Sequence, residues 1–383
     1  MESIYLDHNA TTPIRPEVVE AMTAVWRAGH ANPASQHRPG QLARRLVEDA
    51  RDEIAALLGG KPGGAQGDRL IFTSGGTEAN NLAVLGMGEA RAGKSPGRAI
   101  VSAVEHASVL EAAERLLNDG WRLDTLAVDG QGVVRLDLFE KLLAADVAVV
   151  SVILGNHETG ALQPVGEIAK ACRELGVPIH TDAVQVVGKL PIDFRALGVT
   201  ALSIAAHKFQ GPLGIGALLV RHDAPLAPRL FGGHQQWGLR PGTEPAALTV
   251  GMLVALRLWK AEAQEHAQRL TALRERFEQG LKAGFPVVVN AQGAPRLPHT
   301  SSIAFPGLDG QILLMALDMA GVACSVGSAC SSGSSELSPT LQAMRLPKDI
   351  VASTLRFSLG ATTTQDEIDE AVGRILHVVR SLA

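Results

Sequence analysis

Two charged side chains stand where strand-like runs of this sequence end. Asp182 closes the run PIHTDA, and Lys208 follows the run ALSIAA in the stretch AAHKFQGPLG. Open α/β sheets bind ligands at the carboxyl ends of their strands. A buried carboxylate there needs a cationic partner, and a lysine in a partly desolvated cleft can lose its proton and form a Schiff base with an aldehyde. The pair therefore predicts a site for a ligand with a cationic nitrogen and an aldehyde.

A third stretch, FTSGGTEANN (72–81), has the residues of a phosphate-binding turn. A strand ends there, two glycines turn the chain, and a helix opens at Thr77. The amides of Gly75, Gly76 and Thr77 would then meet an anion, together with the positive end of the helix dipole. Taken alone, the stretch equally fits a glycine turn that leads into a capped helix. Together with the aspartate and the lysine, it predicts pyridoxal 5'-phosphate as the cofactor.

A second glycine-rich stretch, GEARAGKS (88–95), matches the nucleotide-binding pattern G-x-x-x-x-G-K-[ST]. That loop requires a strand before it and a helix after it, so that amides at the helix start face the phosphates. Here a helical run precedes the stretch, and the strand-like run RAIVSAV follows it. The reversed order argues against a nucleotide site.

Further polar residues could contact a ligand at the same sheet edge. His106 in VEHASV follows another strand-like run, where an imidazole could stack on a cofactor ring; a loop histidine with ordinary hydrogen bonds is the alternative. Arg356 in LRFSLG could bind a substrate carboxylate, although exposed strand arginines are common. The stretch GNHETG, taken with His180 and Asp182, lacks the ligand spacings of zinc sites, so we expect no metal.

Cys330 lies in CSVGSACSSGSS (324–335), where small residues surround it and none could bury it. Glycine and serine supply neither packing nor stiffness, which predicts a mobile loop that carries a thiol. Cys324 and Cys172 fit packing positions instead, because one stands at a helix end and the other on the helical pattern EIAKACREL.

The bulk composition describes a folded chain without a nucleic-acid or membrane signature. With 383 residues the chain is longer than chains that usually form a single hydrophobic core, which favours two domains. Hydrophobic residues make up 46%, the net charge is −4 and no basic run occurs, so we expect neither kind of partner. Three cysteines cannot form a disulfide framework, and the acidic start MESIYLDHNATTP lacks an apolar signal segment. Both features favour the cytoplasm.

Short apolar strands alternate with helical patterns through the first two thirds of the chain. The runs RLIFTS, RAIVSAV, VAVVSVIL, PIHTDA, ALSIAA and GIGALLV predict βαβ units and a mostly parallel sheet. A long helix from 249 to about 283 then leads to shorter strands and helices. We therefore predict an α/β fold, with a large helix-covered domain over 16–259 and a smaller α+β domain formed by 1–15 and 260–383.

Motifs along the whole chain resemble those of the cysteine desulfurases, a family within the class-V aminotransferase group of fold-type-I pyridoxal-phosphate enzymes. In the family's order they are YLDHNATTP, ANPASQH, FTSGGTEANN, EHASV, GNHETG, TDAVQ, HKFQGPLGIGAL, LRPGTEP, GSACSSGS and LRFSLG. The long interval between Cys330 and Arg356 resembles the NifS/IscS branch. The resemblance implies the fold-type-I architecture, bound pyridoxal phosphate, a homodimer and L-cysteine as the substrate.

The resemblance also implies a role for each matching residue. Lys208 would hold the cofactor aldehyde, Asp182 the pyridine nitrogen and Gln185 the phenolic oxygen. The full set implied for the cofactor is Gly76, Thr77, His106, Asp182, Gln185, His207, Lys208 and Thr243 of the partner subunit. The set implied for the substrate carboxylate is Asn32, Asn156 and Arg356. The residues implied for catalysis are Lys208, His106 and Cys330.

The implied reaction converts L-cysteine to L-alanine. Lys208 would remove the Cα proton, and the Cys330 thiolate would attack the substrate sulfur and keep it as a persulfide. A mobile loop suits a thiol that takes sulfur in a cleft and delivers it to an acceptor protein, for iron–sulfur cluster assembly or other sulfur trafficking. The alternatives are a selenocysteine lyase or an aminotransferase on the same fold, and a sulfur-relay module with a vestigial cofactor site.

Three positions depart from the family pattern. His157 stands where a second asparagine is usual, and Trp237 replaces a common basic residue near the dimer-facing loop. Ala205 replaces a serine that commonly donates to the phosphate. Loss of one hydroxyl donor costs about 1 kcal/mol of cofactor binding. We therefore expect a weakened cofactor site that still functions.

Overall fold

The computed structural model describes residues 3–327 and 337–383. Its helices, in chain order, are α1 (Pro16–Arg27), α2 (Arg38–Leu57), α3 (Gly76–Ala92), α4 (Ala107–Leu117), α5 (Leu136–Leu142), α6 (Val165–Glu174), α7 (Phe194–Leu197), α8 (Ala246–Gly284), α9 (Gly310–Met319), α10 (Pro339–Ala343), α11 (Lys348–Ala352) and α12 (Gln365–Leu382). Its strands are β1 (Ile4–Tyr5), β2 (Arg69–Thr73), β3 (Arg98–Ser102), β4 (Arg122–Leu126), β5 (Val147–Ser151), β6 (Ile179–Asp182), β7 (Ala201–Ala205), β8 (Gly216–Val220), β9 (Val288–Val289), β10 (Thr300–Ala304), β11 (Val322–Ala323) and β12 (Thr354–Ser358).

The main sheet has seven strands in the order β2-β8-β7-β6-β5-β3-β4. From β7 to β4 all neighbours are parallel. Strand β8 is antiparallel to both β2 and β7. The mostly parallel sheet expected from the alternating strands and helices is confirmed. The direction of β8 follows from a short connection, because no crossover helix lies between β7 and β8.

The central strands place successive side chains in two apolar cores, one on each face of the main sheet. In β2, Leu70 and Phe72 join one core and Ile71 joins the other. Side chains of α3 and α4 complete the second core, whereas α2, α6 and the first half of α8 complete the first. Because helices cover both faces, the inner strands β5, β6, β7 and β8 are buried along their whole length. Every residue of β5 is buried.

A separate core lies around the sheets β12-β10-β9 and β1-β11. Phe357 is central to it, with ring centroids 5.0 Å from Phe277 and 6.4 Å from Phe305. Side chains of α9, α12 and the second half of α8 close this core. The predicted domain boundary between 259 and 260 falls inside α8, which contributes to two cores. The division into two domains therefore stays a prediction.

The long helix expected from 249 to about 283 is confirmed as α8. The sequence patterns do not indicate α1, α2 or β4. Strand β4 has the sequence RLDTL and only its last residue is buried, because it forms one edge of the main sheet. Such an edge strand carries too little apolar periodicity to stand out from a loop.

No helix in the described parts of the chain is both long enough and apolar enough to cross a membrane.

The segment that follows β1 joins the main sheet to the smaller sheets. Thr12 donates to the carbonyl oxygen of His207 through its amide (3.0 Å) and its hydroxyl (2.6 Å). Nearby, the amide of Asn9 donates to Ser358 Oγ at 2.8 Å. The segment therefore contacts the turn after β7 and the end of β12 together.

Helix α12 begins with a capping box formed by Thr364 and Glu367. Thr364 Oγ1 accepts from the Glu367 amide at 3.2 Å, and Glu367 Oε2 accepts from the Thr364 amide at 2.7 Å. Thr364→Ala leaves the Glu367 amide without this acceptor, so we expect the free energy of unfolding to fall by about 1 kcal/mol in urea denaturation. Thr364→Ser keeps the hydroxyl and should change stability much less; equal losses in both variants would contradict the capping role.

Candidate active site

A cavity of about 250 Å³ opens at the carboxyl edge of the main sheet. Strands β6 and β7 end there, and the first residues of α3 reach the same space. Because the carboxyl ends of parallel strands meet at one edge, residues far apart in the sequence come together. The described residues that line it are Asn9, Ala10, Gly76, Thr77, Asn80, His106, Ser108, Ile153, His157, Asp182, Val184, Gln185, Ala205, His207, Lys208 and Arg356.

Asp182 is a buried carboxylate held by hydrogen bonds from its neighbours. Its Oδ2 accepts from Asn80 Nδ2 at 2.7 Å, and its Oδ1 accepts from the Val184 amide at 2.9 Å. Burial of a carboxylate is costly, and neutral donors compensate only part of that cost. Asp182 therefore favours a cationic nitrogen in the cavity, the partner expected from the sequence.

Lys208 lies in the turn after β7 and is positioned by backbone acceptors. Its Nζ donates to the carbonyl oxygens of Asn9 and Ala10, the latter at 2.8 Å. Gln185 Nε2 donates to the same Asn9 carbonyl at 3.0 Å. The segment after β1 thus orients both the lysine amine and the glutamine amide at the cavity wall.

The N-terminus of α3 forms the anion-binding end of the cavity. Its first helical hydrogen bond runs from the Ala79 amide to the Gly75 carbonyl, so the amides of Gly76 and Thr77 precede it. A Cβ on Gly76 would lie 2.9 Å from Val184 Cγ2, which leaves space there only for glycine. The bare amides and the dipole of a long helix favour a phosphate at this end.

His207 lines the cavity beside Lys208. Its Nδ1 lies 3.1 Å from Thr11 Oγ1. Burial, and then the charges of Lys208 and Lys189, lower the pKa of His207 to about 4. The imidazole is therefore neutral near pH 7 and offers a single N–H donor to a ligand.

Two imidazoles meet on another wall of the cavity. His106 Nδ1 accepts from the Ser108 amide at 3.1 Å, which places the proton of the neutral ring on Nε2. The His157 ring lies edge to face with it, at a centroid distance of 5.2 Å. Burial, and then His106, Arg356 and Lys208, lower the pKa of His157 well below its usual value. His157 is thus a neutral imidazole in a cationic neighbourhood.

Arg356 is fixed by an ion pair inside the chain. Its Nη2 donates to Asp7 Oδ1 at 2.7 Å, and its Nη1 donates to the His157 carbonyl at 3.2 Å. Its Nε is buried and has no hydrogen-bond partner among the residues that the structure describes. Asp7 therefore sets the orientation of the guanidinium group, while donor capacity remains for a carboxylate in the cavity.

Glu105 is a neutral acid behind the cavity. Its Oε1 accepts from the Ile153 amide at 2.6 Å and from Ser102 Oγ. Burial raises the pKa of Glu105 to about 8, and the nearby charge of Asp182 adds to the rise. Near pH 7 the Glu105 side chain therefore holds a proton.

Asn156 does not line the cavity. Its Nδ2 donates to the Val104 carbonyl at 2.9 Å, and its Oδ1 accepts from the amides of Glu158 (2.9 Å) and Thr159 (2.8 Å). These bonds use both ends of the side-chain amide to hold the turn together. The expectation that Asn156 binds substrate stays a prediction. The next residue, His157, faces the cavity instead.

Asn32 and Thr243 lie together in a second cleft, of about 510 Å³, away from Lys208. Asn32 Oδ1 accepts from the Ala34 amide at 2.8 Å, in an exposed turn. The expectation that Asn32 binds the substrate carboxylate together with Arg356 stays a prediction. The expectation that Thr243 serves the site of a second subunit stays a prediction.

Cys330 lies outside the described residues, so its role stays a prediction. The chain on both sides of 328–336 contacts Glu158, the residue after the cavity-lining histidine. Glu158 Oε2 accepts from Ser338 Oγ, and a Cβ on Gly327 would lie 2.7 Å from the same oxygen. The ends of the cysteine segment are therefore anchored close to the cavity.

The other two cysteines are poor nucleophiles. Burial raises the pKa of Cys172 to about 12. Burial, and then the charge of Asp7, raise the pKa of Cys324 as well. Because the thiolate is the reactive form, both side chains act as packing groups, as expected from their places in the sequence.

Sequence reasoning missed three polar residues of the site. Asp7 and Asn9 lie in YLDHNATTP, and Asn80 lies in FTSGGTEANN. Both motifs indicate the family, but neither pattern assigns a role to these three side chains. Hydrophobic periodicity identifies the buried face of a regular element, but it does not show which polar side chain of a turn points inward.

The cavity suits the pyridoxal phosphate expected from the sequence. One enclosed space combines an anion-binding helix end, a buried carboxylate and a lysine amine. Buried polar atoms of four residues in its lining have no partner within 3–327 and 337–383: Asn80 Oδ1, His157 Nδ1, Gln185 Oε1 and Arg356 Nε. Such atoms are costly to leave unpaired, which favours a polar ligand in this space.

Comparisons with known proteins agree with this site. Residues 4–371 match the family model described as aminotransferase class-V. The chain is 38% identical to the cysteine desulfurase IscS of Dictyoglomus turgidum, over 99% of this chain and 96% of that protein. It is 40% identical to an IscS-like cysteine desulfurase of Mycobacterium tuberculosis, over 96% of this chain and 94% of that protein. The X-ray structure of a NifS-like protein from Rickettsia africae superposes with a TM-score of 0.88 at 31% identity, over 98% and 99% of the two chains.

Fold and site together define a class-V aminotransferase, a group that depends on pyridoxal phosphate. Within that group, the chain belongs to the cysteine desulfurase family of NifS and IscS type. The family and the cofactor expected from the sequence motifs are thereby confirmed.

Glu105 should make the stability of the protein fall as the pH rises. Its pKa is about 8 in the folded chain and about 4.5 when the side chain is solvated. Between these values the folded state holds a proton that the unfolded state has released, so the free energy of unfolding falls with pH through this window. Glu105→Gln should remove this slope. At about pH 8 the free energy of unfolding of this variant should exceed that of the wild type by a few kcal/mol at most.

Urea denaturation between about pH 5 and about pH 8 measures this slope. Glu111→Gln, at an exposed position of α4, is the matched control and should keep the wild-type slope. An unchanged slope in Glu105→Gln would show that other groups carry the pH dependence.

Proposed function

We propose that this chain is a pyridoxal-phosphate-dependent L-cysteine desulfurase, which converts L-cysteine to L-alanine and transfers the sulfur to Cys330. The observation that carries this proposal is the single cavity in which Lys208, Asp182 and Arg356 meet the N-terminus of α3. The relatives named cysteine desulfurase support L-cysteine as the substrate.

Side chains of the cavity suit the cofactor at each of its polar groups. The α3 amides and a neutral histidine suit the phosphate, Asp182 suits the pyridine nitrogen, and the glutamine amide suits the phenolic oxygen. Bound pyridoxal phosphate supplies an electron-withdrawing ring that stabilises negative charge at the Cα of an amino acid. The residues proposed to hold it are Gly76, Thr77, His106, Asp182, Gln185, His207, Lys208 and Thr243 of the partner subunit.

Arg356 is proposed to bind the substrate carboxylate. Asp7 already occupies one side of its guanidinium group, so the arginine cannot rotate away from the cavity without breaking a buried ion pair. Lys208 Nζ is proposed to take the proton from the substrate Cα. The backbone acceptors of Asn9 and Ala10 orient this amine toward the cavity wall before the substrate arrives.

Cys330 is proposed to accept the sulfur. Its thiolate attacks the substrate sulfur, the Cβ–S bond breaks, and the bonding pair stays on Cβ, which takes a proton to become the methyl group of alanine. The contacts of Glu158 with Gly327 and Ser338 support this role, because they hold both ends of the cysteine segment beside the cavity wall.

The protein is further proposed to act in the cytoplasm, as a homodimer that passes its persulfide sulfur to an acceptor protein. Thr243 lines a cleft that does not include Lys208, so its proposed contact with the cofactor would require a second protomer, which supports the dimer. Iron–sulfur scaffold proteins are one class of acceptor.

Substitution of the two proposed reactive residues should separate cofactor binding from sulfur transfer. Lys208→Ala should lose the visible absorption of the bound cofactor that the wild type shows. Cys330→Ser should keep that absorption and its change on addition of L-cysteine, yet release sulfide at least about a hundredfold more slowly in the presence of a reductant. Cys324→Ser is the matched control and should stay near wild type, because its thiol is not ionised.

Alanine and sulfide should be measured together, and the wild type should form them in equal amounts. Full sulfide release by Cys330→Ser would favour a lyase that needs no thiol, such as a selenocysteine lyase. A wild type that binds the cofactor but forms neither product would favour an aminotransferase. A colourless protein that cannot be reconstituted would favour a sulfur-relay module.

An exposed apolar surface should form part of the dimer interface. Phe231 is 86% exposed, and Leu230 and Trp237 nearby in the sequence are about half exposed, which is costly for a monomer. Phe231→Asp should shift the protein toward monomer in sedimentation velocity and weaken cofactor retention. Met319→Asp, at an equally exposed position on α9, should leave both unchanged. An intact dimer in Phe231→Asp would place the interface elsewhere.

A further inference from the structure

Lys189 is a buried lysine that the proposed reaction does not use. It lies in the loop after β6, it is 6% exposed, and its Nζ donates to the carbonyl oxygen of Lys208. Burial, and then the charge of Lys208, lower the pKa of Lys189 to about 7, and no carboxylate of the described residues offsets this fall. An ammonium group has further N–H donors, so the side chain can bind another acceptor.

Lys189 lies near neutral histidines and near no free carboxylate of the described residues. Burial lowers the pKa values of four histidines from separate parts of the chain, His8, His207, His266 and His299, and the charge of Lys189 contributes to each fall. The acidic group near one of them, Glu262, lies 3.9 Å from His266 Nε2 but already pairs with Arg15 at 3.1 Å. The described carboxylates therefore leave the charge of Lys189 without a counter-ion.

A small cavity adjoins Lys189 where the main sheet meets the smaller sheets. Its volume is about 20 Å³, enough for one water-sized species. Trp259 of α8 also lines it, and in the described part of the chain the indole N–H of this buried residue has no hydrogen-bond partner. No acidic side chain is among the described residues that form the wall. The cavity thus combines a cation with an unpaired donor.

We propose that this cavity binds a single halide-sized monovalent anion, chloride, through the Lys189 ammonium group and the Trp259 indole N–H. Such an anion would give a buried cation the counter-ion that the chain does not supply. It would also pair an N–H group that is otherwise unsatisfied. The site lies apart from the cofactor cavity, and it does not depend on the proposed function.

The size of the cavity determines which anions can enter. A volume of about 20 Å³ suits a monatomic anion and is small for sulfate, phosphate and carboxylates. A water molecule would fit as well, but it would leave the charge of Lys189 without compensation. Chloride and water therefore make different predictions, both in a crystal and in solution.

Bromide is the direct probe, because it replaces chloride and scatters anomalously. Crystals of the wild-type protein grown with bromide as the only halide should show an anomalous peak within hydrogen-bonding distance of Lys189 Nζ and Trp259 Nε1. Ordered density without an anomalous signal would identify water and overturn the proposal. An empty cavity would overturn it equally.

Titration in solution tests the same contacts without crystals. Bromide added at constant ionic strength, against gluconate, should raise the melting temperature of the wild type in a saturable way, because the ligand binds only the folded state. Lys189→Met should weaken this effect at least about tenfold, and Trp259→Phe should weaken it by a smaller factor. Lys260→Met is the matched control, because this lysine adjoins Trp259 in α8 and is exposed.

The control should keep the wild-type response to bromide. Equal responses in Lys189→Met and the wild type would overturn the proposal. If Lys189→Met does not fold, Trp259→Phe and the bromide crystals still decide the question, since both leave the lysine in place.

Binding of the anion should also be coupled to the protonation of Lys189. Because the pKa of Lys189 lies at about 7 without a counter-ion, the affinity for bromide should fall above about pH 7, by up to about tenfold per pH unit. The facing histidines have lowered pKa values and are neutral in this range; they are His8, His207, His266 and His299. The charged groups around them are Lys208, Arg15, Arg269, Arg274, Arg356 and Glu262. A pH-independent affinity would contradict the role of Lys189.

Discussion

The hydrogen bonds of Asn9 join the parts of the chain that must cooperate in this site. Its carbonyl oxygen accepts from Lys208 Nζ and from Gln185 Nε2. Its Nδ2 donates to the His157 carbonyl and to Thr300 Oγ1, both at 3.0 Å. One buried residue thus connects the lysine at the end of β7, the turn after β5 and the smaller sheet. The position of the lysine amine depends on the position of the carbonyl oxygens that accept its hydrogen bonds. These carbonyls are in place only if the segment after β1 lies between the sheets. The geometry of the site therefore depends on how the smaller sheets pack against the main sheet.

Burial decides which groups of the site carry charge. His157, His207 and Glu105 are kept neutral, the histidines because burial and nearby cations lower their pKa values, and the glutamate because burial raises its own. Asp182 is a carboxylate of the cavity wall and can pair with the pyridine nitrogen of the cofactor. The ion pair of Arg356 with Asp7 leaves the buried Nε of the arginine as a donor for the carboxylate of an amino acid. These separate partners would give the cofactor and the substrate defined orientations.

Two departures from the family pattern fall on the cavity wall. Ala205 is almost fully buried and brings no hydroxyl group, so the phosphate end relies on the α3 amides and on His207. His157 brings an imidazole to a position where its relatives usually have an amide, and its edge contacts the ring of His106. Both departures leave the lysine, the aspartate and the helix end in place. The differences therefore affect binding strength and substrate contacts rather than the kind of chemistry.

The sequence by itself determined the sheet architecture and the chemical groups of the site. Apolar strands alternating with helices indicated a mostly parallel sheet, and Asp182, Lys208 and the glycine turn before α3 indicated pyridoxal phosphate, because strand ends and helix starts have recognisable local patterns. Tertiary structure alone decided that Asn156 holds a turn while His157 faces the cavity, that Asp7 pairs with Arg356, and that Lys189 is buried without a carboxylate. Local periodicity fixes the direction of a side chain in a helix or a strand. In irregular turns that direction depends on segments distant in sequence, whose packing a local pattern does not encode.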